Sequence, residues 1–337
     1  MRFIGGKSLL LDNILELISQ HNDIKKVGDL FTGSAVVAQA LKRNGYEVVS
    51  NDIMYMSYCL ARGMTELNVA PDFEELKRGV GIQNVFQYLN DIPLPTRKEK
   101  CFIYQNYSPN PNCDRMYFQN ENALRIDAVR KQIEKWHRDE LISEAEYFYL
   151  LASLISAVPY VANITGVYAA YLKHWDKRTY NRLTIEPLEI ISSDKQCRSY
   201  NMDANKLVEQ EEFDCVYIDT PYNQRQYTPN YHILETIAKY DSPEIHGVTG
   251  MRDYEKSDYC SRAKVEEAFC SLFKNLKSKY AVVSYNNEGL LTTEQMISVL
   301  SEFGKTMLHE IPYRRYKSKI PNETNGLKEQ LYFVEMR

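Results

Sequence analysis

The chain has 337 residues, of which 44% are hydrophobic and 26% are charged, and its formal net charge is −4. The length and composition are ordinary for a globular protein with one large domain carrying an insertion, or with two domains. A nucleic-acid-binding domain is expected to be basic, and this chain as a whole is slightly acidic. Any nucleic-acid partner would therefore be held by a local basic patch.

The seven cysteines form no CxxC pair and no Cys/His spacing typical of zinc. With no signal peptide recognisable, they predict reduced thiols in the cytoplasm and no structural metal. Residues 147–172 carry no formal charge, and this stretch is long enough to suggest a membrane span. Pro159, Asn163 and Gly166 interrupt this stretch, so the prediction is a buried helix followed by a loop, with no membrane partner.

Strand and helix patterns alternate at the start of the chain. Residues 9–22 have helical apolar spacing behind Ser8, a possible N-cap. A strand pattern at 25–31, a helix pattern at 34–45 and a second strand pattern at 46–53 follow. This βαβ rhythm predicts an α/β fold with a parallel sheet covered by helices.

The rhythm stops near residue 62 and resumes near 195. Between these points the pattern is mostly helical, with a long helix predicted at 121–139. The later elements are a strand at 213–219, a strand at 279–289, a helix near 292–303 and two strands at the C-terminal end. We therefore predict one α/β domain formed by residues 1–61 and 195–337, interrupted by a helical insertion at 62–194.

The stretch "DLFTGSAVV", residues 29–37, places a glycine turn between the first strand and the following helix. Gly33 allows close approach of the backbone to a ligand, and Asp52 ends the next strand 19 residues later. A carboxylate there can accept hydrogen bonds from two ribose hydroxyls. The dinucleotide motif GxGxxG is absent, which disfavours a nicotinamide cofactor. A tight turn followed by a surface aspartate also fits these residues.

The stretch "FIGGKS", residues 3–8, brings two glycines and Lys7 directly in front of a predicted helix. Backbone N–H groups and a lysine in this arrangement can hold an anion such as a carboxylate. The spacing is not that of a Walker A loop, and on its own the stretch fits a flexible start better than an anion site.

The third motif is "DTPY", residues 219–222, at the end of an apolar strand. Asp219 would lie at the carboxyl end of the sheet, where open α/β sheets bind ligands. Pro221 restricts Thr220 to an extended conformation, which orients the Thr220 carbonyl relative to the Asp219 side chain. Two acceptors beside Tyr222 suit a planar amine, although a strand-terminal acid followed by a turn fits as well.

In order and spacing, the three motifs and Asp52 resemble those of the Dam-like, alpha-group adenine-N(6) DNA methyltransferases of restriction-modification systems. The resemblance covers nearly the whole chain and implies a Rossmann-like S-adenosylmethionine-dependent fold, with residues 62–194 as the target-recognition domain. Two positions depart from the family pattern: Thr220 replaces the first proline of Asp-Pro-Pro-Tyr, and Ala35 replaces a second glycine. Since the family contact at position 220 is a backbone carbonyl, threonine should be tolerated.

The resemblance also implies roles for individual residues. Asp219, the Thr220 carbonyl, Pro221 and Tyr222 would hold a flipped adenine and stabilise the charge that develops on its amine during methyl transfer. The cofactor-binding residues implied are Phe3, Ile4, Gly5, Gly6, Lys7, Leu30, Phe31, Thr32, Gly33, Ser34, Ala35, Asp52, Ile53, Asp203 and Asp219.

Double-stranded DNA is the implied partner, with a cognate restriction endonuclease as a second. Basic and aromatic side chains that could contact DNA are Lys173, Lys177, Arg178, Arg182, Arg225, Tyr227, Arg314 and Arg315. Solvated surface charge explains the basic clusters equally well. Two alternatives stay open: a methyltransferase acting on another planar amine, such as an RNA base or a protein glutamine, and a catalytically silent DNA-binding module of the same fold.

Overall fold

The computed structural model describes residues 6–312 and 328–337. Seven strands in these ranges form one sheet in the order β3-β2-β1-β4-β7-β9-β8, and β5 and β6 form a small hairpin. The strands are β1 (Lys26–Asp29), β2 (Glu47–Asn51), β3 (Arg198–Tyr200), β4 (Glu212–Ile218), β5 (Ile245–His246), β6 (Met251–Arg252), β7 (Lys277–Asn286), β8 (Gly304–Pro312) and β9 (Lys328–Met336).

The large sheet is parallel from β3 to β7, while β9 pairs antiparallel with both β7 and β8. The chain builds outward from β1 to β3 in one direction and from β4 to β8 in the other, so the strand order reverses between β1 and β4. Ligands of doubly wound sheets bind at this switch point, beyond the carboxyl ends of the strands. The predicted α/β class, the parallel sheet and the two C-terminal strands are confirmed.

Helices cover both faces of this sheet. Within the described residues they are α1 (Leu11–Ser19), α2 (Val36–Arg43), α3 (Tyr55–Ala61), α4 (Val85–Asp91), α5 (Phe102–Tyr107), α6 (Asn120–Arg138), α7 (Glu144–Ala157), α8 (Ala204–Gln210), α9 (Thr228–Lys239), α10 (Val265–Asn275) and α11 (Thr293–Ser301). Helices α1 and α2 bury their apolar residues in a core on one face, and α8, α10 and α11 bury theirs on the other.

Residues 52–197 form helices and loops without a strand of the large sheet. The long helix expected at 121–139 is α6, whose apolar face is buried as predicted. The hydrophobic core around α6 also contains residues of α3 and α9. The helical region therefore packs directly on elements that precede and follow it in sequence. The assignment of residues 62–194 to target recognition stays a prediction.

Two local predictions concern the start of the first helix and the charge-free stretch at 147–172. Ser8 does not cap the first helix, because Lys7–Leu9 form a single 3-10 turn and α1 begins only at Leu11, after Leu10. The burial of Lys7 fixes this turn ahead of the helix. The charge-free stretch at 147–172 contributes the end of α7 and a loop, as expected, and no helix in the described ranges has the length and apolarity needed to cross a bilayer.

Candidate active site

The turn between β1 and α2 contains two residues, separated by one position, whose backbone lies in the left-handed region. Gly33 has φ +55° and Ala35, the residue before α2, has φ +62°. Glycine adopts this conformation without steric cost, whereas a Cβ makes it unfavourable by about 1 kcal/mol. Ala35 is fully buried, and its N–H donates to the Thr32 carbonyl. The turn therefore forms with alanine in a position where glycine would be less strained.

Asp52 ties this turn to the end of β2. Its carboxylate accepts one hydrogen bond from the Gly33 N–H and one from the Met54 N–H, each at 2.8 Å. Burial raises the pKa of Asp52 to about 6, although these two backbone donors lower it. Each carboxylate oxygen keeps a second lone pair, so Asp52 can hold the turn and still accept hydroxyl donors from a ligand.

Asp219 lies at the carboxyl end of β4, beside β1. Its Oδ1 is 3.2 Å from Nζ of Lys7, which is almost completely buried. Burial raises the pKa of Asp219 to about 6, against the lowering effect of the Lys7 ammonium. Lys7 also lies 5.3 Å from the centre of the Tyr222 ring, and the Tyr222 carbonyl accepts a hydrogen bond from the Leu290 N–H. Acid, lysine and aromatic ring thus form one compact group.

Thr220 is buried between Asp219 and Pro221, with 1% of its surface exposed. Its hydroxyl has no hydrogen-bond partner within the described structure and does not line the neighbouring cavities. The side chain at this position therefore contributes no polar contact that the structure records, in agreement with a role limited to the backbone carbonyl.

Two adjoining cavities open at the switch point, and Phe31, Ile53, Glu255 and Ser257 line both. The first cavity is bounded by Lys7, Asp29, Asp52 and Asp219, among others, and the second by Asp203, Asn205 and Tyr259. In the second, Phe31 packs edge-on against Tyr259, with ring centres 5.2 Å apart. Together they form a cleft with an acidic end beside β4 and an aromatic end beside α8 and α10.

Most of the residues expected from the sequence are brought together at this cleft. Those that line one or both cavities are Gly6, Lys7, Leu30, Phe31, Thr32, Gly33, Ser34, Asp52, Ile53, Asp203, Asp219, Pro221 and Tyr227. Phe3, Ile4 and Gly5 lie outside the described residues. Asp203 also caps α8, where its carboxylate accepts a hydrogen bond from the Asn205 N–H at 2.7 Å.

Asp29, the last residue of β1, was not among the residues expected at the site. It is 1% exposed and lines the first cavity, and neither carboxylate oxygen has a hydrogen-bond partner among the described residues. Burial, together with the charges of Asp219 and Asp52, raises the pKa of Asp29 well above its usual range, while the Ala38 N–H and the Thr32 hydroxyl act in the opposite direction. An acid directly before the glycine turn was the signal available in the sequence.

A second missed residue is Glu329, at the beginning of β9. Its Oε2 lies 3.4 Å from Nζ of Lys7. In sequence, Glu329 is near the C-terminal end, far from all three motifs. The side-chain amide of Gln226 exchanges two hydrogen bonds with the backbone of Ser257, at 2.9 and 3.2 Å. These bonds attach the loop after the DTPY motif to the segment that lines both cavities. No local sequence pattern marks Glu329.

The candidate DNA-contacting side chains divide into two groups. Arg178 donates to the Ile164 carbonyl and pairs with Asp176, and Arg182 hydrogen bonds to the Asn90 carbonyl, so both are used within the fold. Lys173, Lys177 and Arg225 are exposed. Tyr227 is stacked on Tyr231 and lines the first cavity instead of lying on the outer surface. Arg314 and Arg315 lie outside the described residues.

A doubly wound sheet whose switch-point cleft combines a glycine turn, a strand-terminal acid and a D-x-P-Y motif defines a Rossmann-like methyltransferase. Consistent with this class, residues 3–299 match the sequence profile of the D12 class N6 adenine-specific DNA methyltransferases. The chain belongs to this family, and the resemblance expected from the motifs is confirmed.

Three curated relatives illustrate the relationship. The chain is 44% identical to the Type II methyltransferase M.FokI of Planomicrobium okeanokoites and 39% identical to the modification methylase StsI of Streptococcus sanguinis. It aligns over 99–100% of its own length with these two but spans only 52% of theirs. It is 38% identical to the Type II methyltransferase M.NlaIII of Neisseria lactamica, and that alignment covers 99% of each chain.

Among solved structures, the rRNA methyltransferase aviRa of Streptomyces viridochromogenes aligns over 96% of this chain and 83% of its own. The TM-score of this alignment is 0.32 and the sequence identity is 11%.

Proposed function

We propose that the protein transfers a methyl group from S-adenosylmethionine to the exocyclic amine of adenine at specific sites in double-stranded DNA. The observation that carries this proposal is the position of Asp219, which ends β4 beside the first cavity with Lys7 and Tyr222 against it. Family membership supports the same reaction. The chain spans about half the length of M.FokI and StsI. The proposal therefore depends on the residues of this chain and not on what those longer proteins do.

The cleft fits the cofactor on three grounds. Asp29 presents to the first cavity a buried carboxyl group that has no hydrogen-bond partner among the described residues, and an ammonium group would satisfy it there. Asp52 keeps lone pairs for ribose hydroxyls, and Phe31 and Tyr259 provide an aromatic wall in the second cavity for a planar base. S-adenosylmethionine supplies an electrophilic methyl group when bound.

The target amine would be held by Asp219 and the Thr220 carbonyl. The lone pair of an adenine amine is conjugated with the ring, so the amine is a poor nucleophile. Two acceptors on its N–H groups favour a pyramidal nitrogen, and the Asp219 carboxylate stabilises the positive charge that develops there. As the N–C bond forms, the bond between the methyl group and sulfur would break, and the amine would then lose one N–H proton to solvent. Holding both reactants in line supplies much of the remaining rate. The base cannot be reached inside a duplex, so it would flip out toward Tyr222.

The remaining partners follow from the same proposal. Members of restriction-modification systems act beside an endonuclease, and we extend that partner and a cytoplasmic location to this chain. No cluster of three or more potential metal ligands occurs among the described residues, and the scheme assigns no step to a metal. Residues 62–194 would carry the contacts that select the DNA sequence.

The test is methylation of duplex DNA with isotopically labelled S-adenosylmethionine, followed by mass spectrometry of the released nucleosides and sequencing with base-modification detection. We expect N6-methyladenine at one recurrent sequence. Methylation confined to RNA or protein would favour the other planar-amine substrates. Tight DNA binding with no transfer to any substrate would favour the silent module.

DNA binding itself can be tested at the exposed lysines. Replacing Lys173 and Lys177 with glutamine should weaken DNA binding and reduce the slope of log affinity against log salt by about one unit for each phosphate that a lysine no longer neutralises. Arg178 and Arg182 are poorer targets because their changes would disturb contacts within the fold. An unchanged salt slope would show that DNA lies elsewhere.

A further inference from the structure

Lys7 is held between two carboxylates that come from distant parts of the chain. Its Nζ is 3.2 Å from Asp219 at the end of β4 and 3.4 Å from Glu329 at the start of β9. Lys7 and Glu329 are nearly inaccessible, with 4% and 5% of their side chains exposed, whereas Asp219 keeps 18%. Glu329 lies beyond residue 299, where the match to the family profile ends.

The proposed reaction places a demand on this triad. Asp219 must accept an N–H of the target amine, which competes with the Lys7 ammonium for the same carboxylate. Without Glu329, Asp219 would be the only anionic partner of Lys7 near enough to form an ion pair within the described structure. The buried ammonium would then be strongly destabilised when Asp219 turned to the substrate. With Glu329 in place, Lys7 keeps a charged, buried partner while Asp219 turns to the substrate. The ammonium has three donors, so it can contact both carboxylates at once.

We propose that Glu329 is a positioning residue for methyl transfer: it holds and neutralises Lys7, so that the Asp219 carboxylate is available to the adenine amine. This inference rests on the proposed function and extends it to a residue outside the motifs. Glu329 acts through Lys7 and contacts neither the base nor the methyl donor. Its place at the start of β9, paired with Asn286 of β7 and Ile311 of β8, fixes the carboxylate beside the site.

The charges around Asp219 make the proposal measurable through pH. Burial raises the pKa of Asp219, Lys7 lowers it and Glu329 raises it. The other titratable groups at the site are Asp29 of β1, Tyr217 of β4, and Tyr222 and Tyr227 from the segment after β4. The negative charge of Glu329 raises the pKa of Asp219, so removing that charge removes this effect. Lys7 is then left to pair with Asp219 alone. The pKa of Asp219 should therefore fall, and its ionised form should persist to lower pH.

The experiment compares pH profiles of kcat/KM for DNA in the full chain and in Glu329→Gln, which keeps the shape and removes the charge. We expect the acid limb to move down by about one pH unit. We also expect kcat/KM at pH 7.5 to fall about tenfold, because Lys7 then competes fully for Asp219. Glu329→Asp retains the charge on a shorter side chain; its acid limb should stay at the wild-type pH while its rate falls.

Glu310→Gln is the matched control, since Glu310 pairs with Lys328 on the same strands but both side chains are exposed. It should leave the profile unchanged. A Glu329→Gln profile identical to wild type, or a uniform loss with no shift of the acid limb, would overturn the proposal and assign Glu329 to folding alone. If Glu329→Gln does not fold, a displaced acid limb in Glu329→Asp, which keeps the charge, would overturn it. Failure of wild type itself to methylate DNA would instead refute the proposed function.

Discussion

Two buried aspartates, one in the helical region and one at the sheet, look alike by burial but differ in their partners. Asp127 of α6 is fully buried, and its carboxylate accepts hydrogen bonds from the Ile103 N–H, the Tyr104 N–H and the Tyr240 hydroxyl. Asp29 at the end of β1 is equally buried, and its carboxylate has no hydrogen-bond partner within the described structure. Asp127 completes a helix N-terminus, whereas Asp29 borders a cavity.

The comparison separates structural acids from ligand-binding acids. Burial raises the pKa of both Asp127 and Asp219 to about 6, so a raised pKa does not by itself mark a functional group. What distinguishes the acids at the sheet is unused hydrogen-bonding capacity directed at a cleft. Buried polar groups normally have partners, so a ligand that supplies the missing ones is the simplest explanation.

The largest change in stability is expected at Asp127. Asp127→Asn replaces an acceptor of three hydrogen bonds with a group that has one acceptor atom and brings its own N–H groups toward those donors. The free energy of unfolding should fall by about 3 kcal/mol, measured by urea denaturation, with little effect on cofactor affinity. Asp139→Asn, at a surface ion pair with Lys135, is the control. Equal losses in both variants would contradict the structural role of Asp127.

At Asp29 the expected effect is on binding instead of folding. Asp29→Asn should weaken S-adenosylmethionine binding about tenfold, equivalent to about 1.4 kcal/mol, because the amide cannot form an ion pair with the ammonium group. Stability without cofactor should hold or rise, since a buried carboxyl group with no hydrogen-bond partner among the described residues is replaced by an amide that cannot ionise. Calorimetric titration and urea denaturation measure the two quantities. Unaltered cofactor affinity would remove Asp29 from the binding site.

A smaller effect is expected at the glycine turn. Ala35→Gly should raise the free energy of unfolding by up to about 1 kcal/mol, because it relieves the left-handed conformation of Ala35. Ala38→Gly, three residues on within α2, has no such strain to relieve and should destabilise by about the same amount. Destabilisation by both substitutions would show that the turn carries no strain.

The smallest effect is expected at Thr220. Thr220→Val preserves the backbone carbonyl and removes a buried hydroxyl that has no partner in the part of the chain that the structure describes. Turnover should therefore stay within about twofold, and the melting temperature should hold or rise. Thr220→Pro, which restores the family residue, should also leave turnover nearly unchanged. A large loss of turnover in both variants would reveal a role for the threonine side chain.

How much could be predicted from the sequence depended on whether a feature was local. The βαβ rhythm, the glycine turn, Asp52 and the DTPY motif lie within short stretches, and the sheet brings them together because parallel strands share one carboxyl edge. The Lys7–Glu329 pair joins residues 322 positions apart, so no spacing rule reveals it. The unused oxygens of Asp29 likewise become visible only once its neighbours are in place.

The most direct test of the central claim is methyl transfer by Asp219→Ala under single turnover, with S-adenosylmethionine affinity measured on the same preparation. The account predicts transfer to DNA adenine slower by about a thousandfold or more, with cofactor affinity within a few-fold of wild type. Turnover near the wild-type rate would contradict the assignment of Asp219 as the acceptor for the adenine amine.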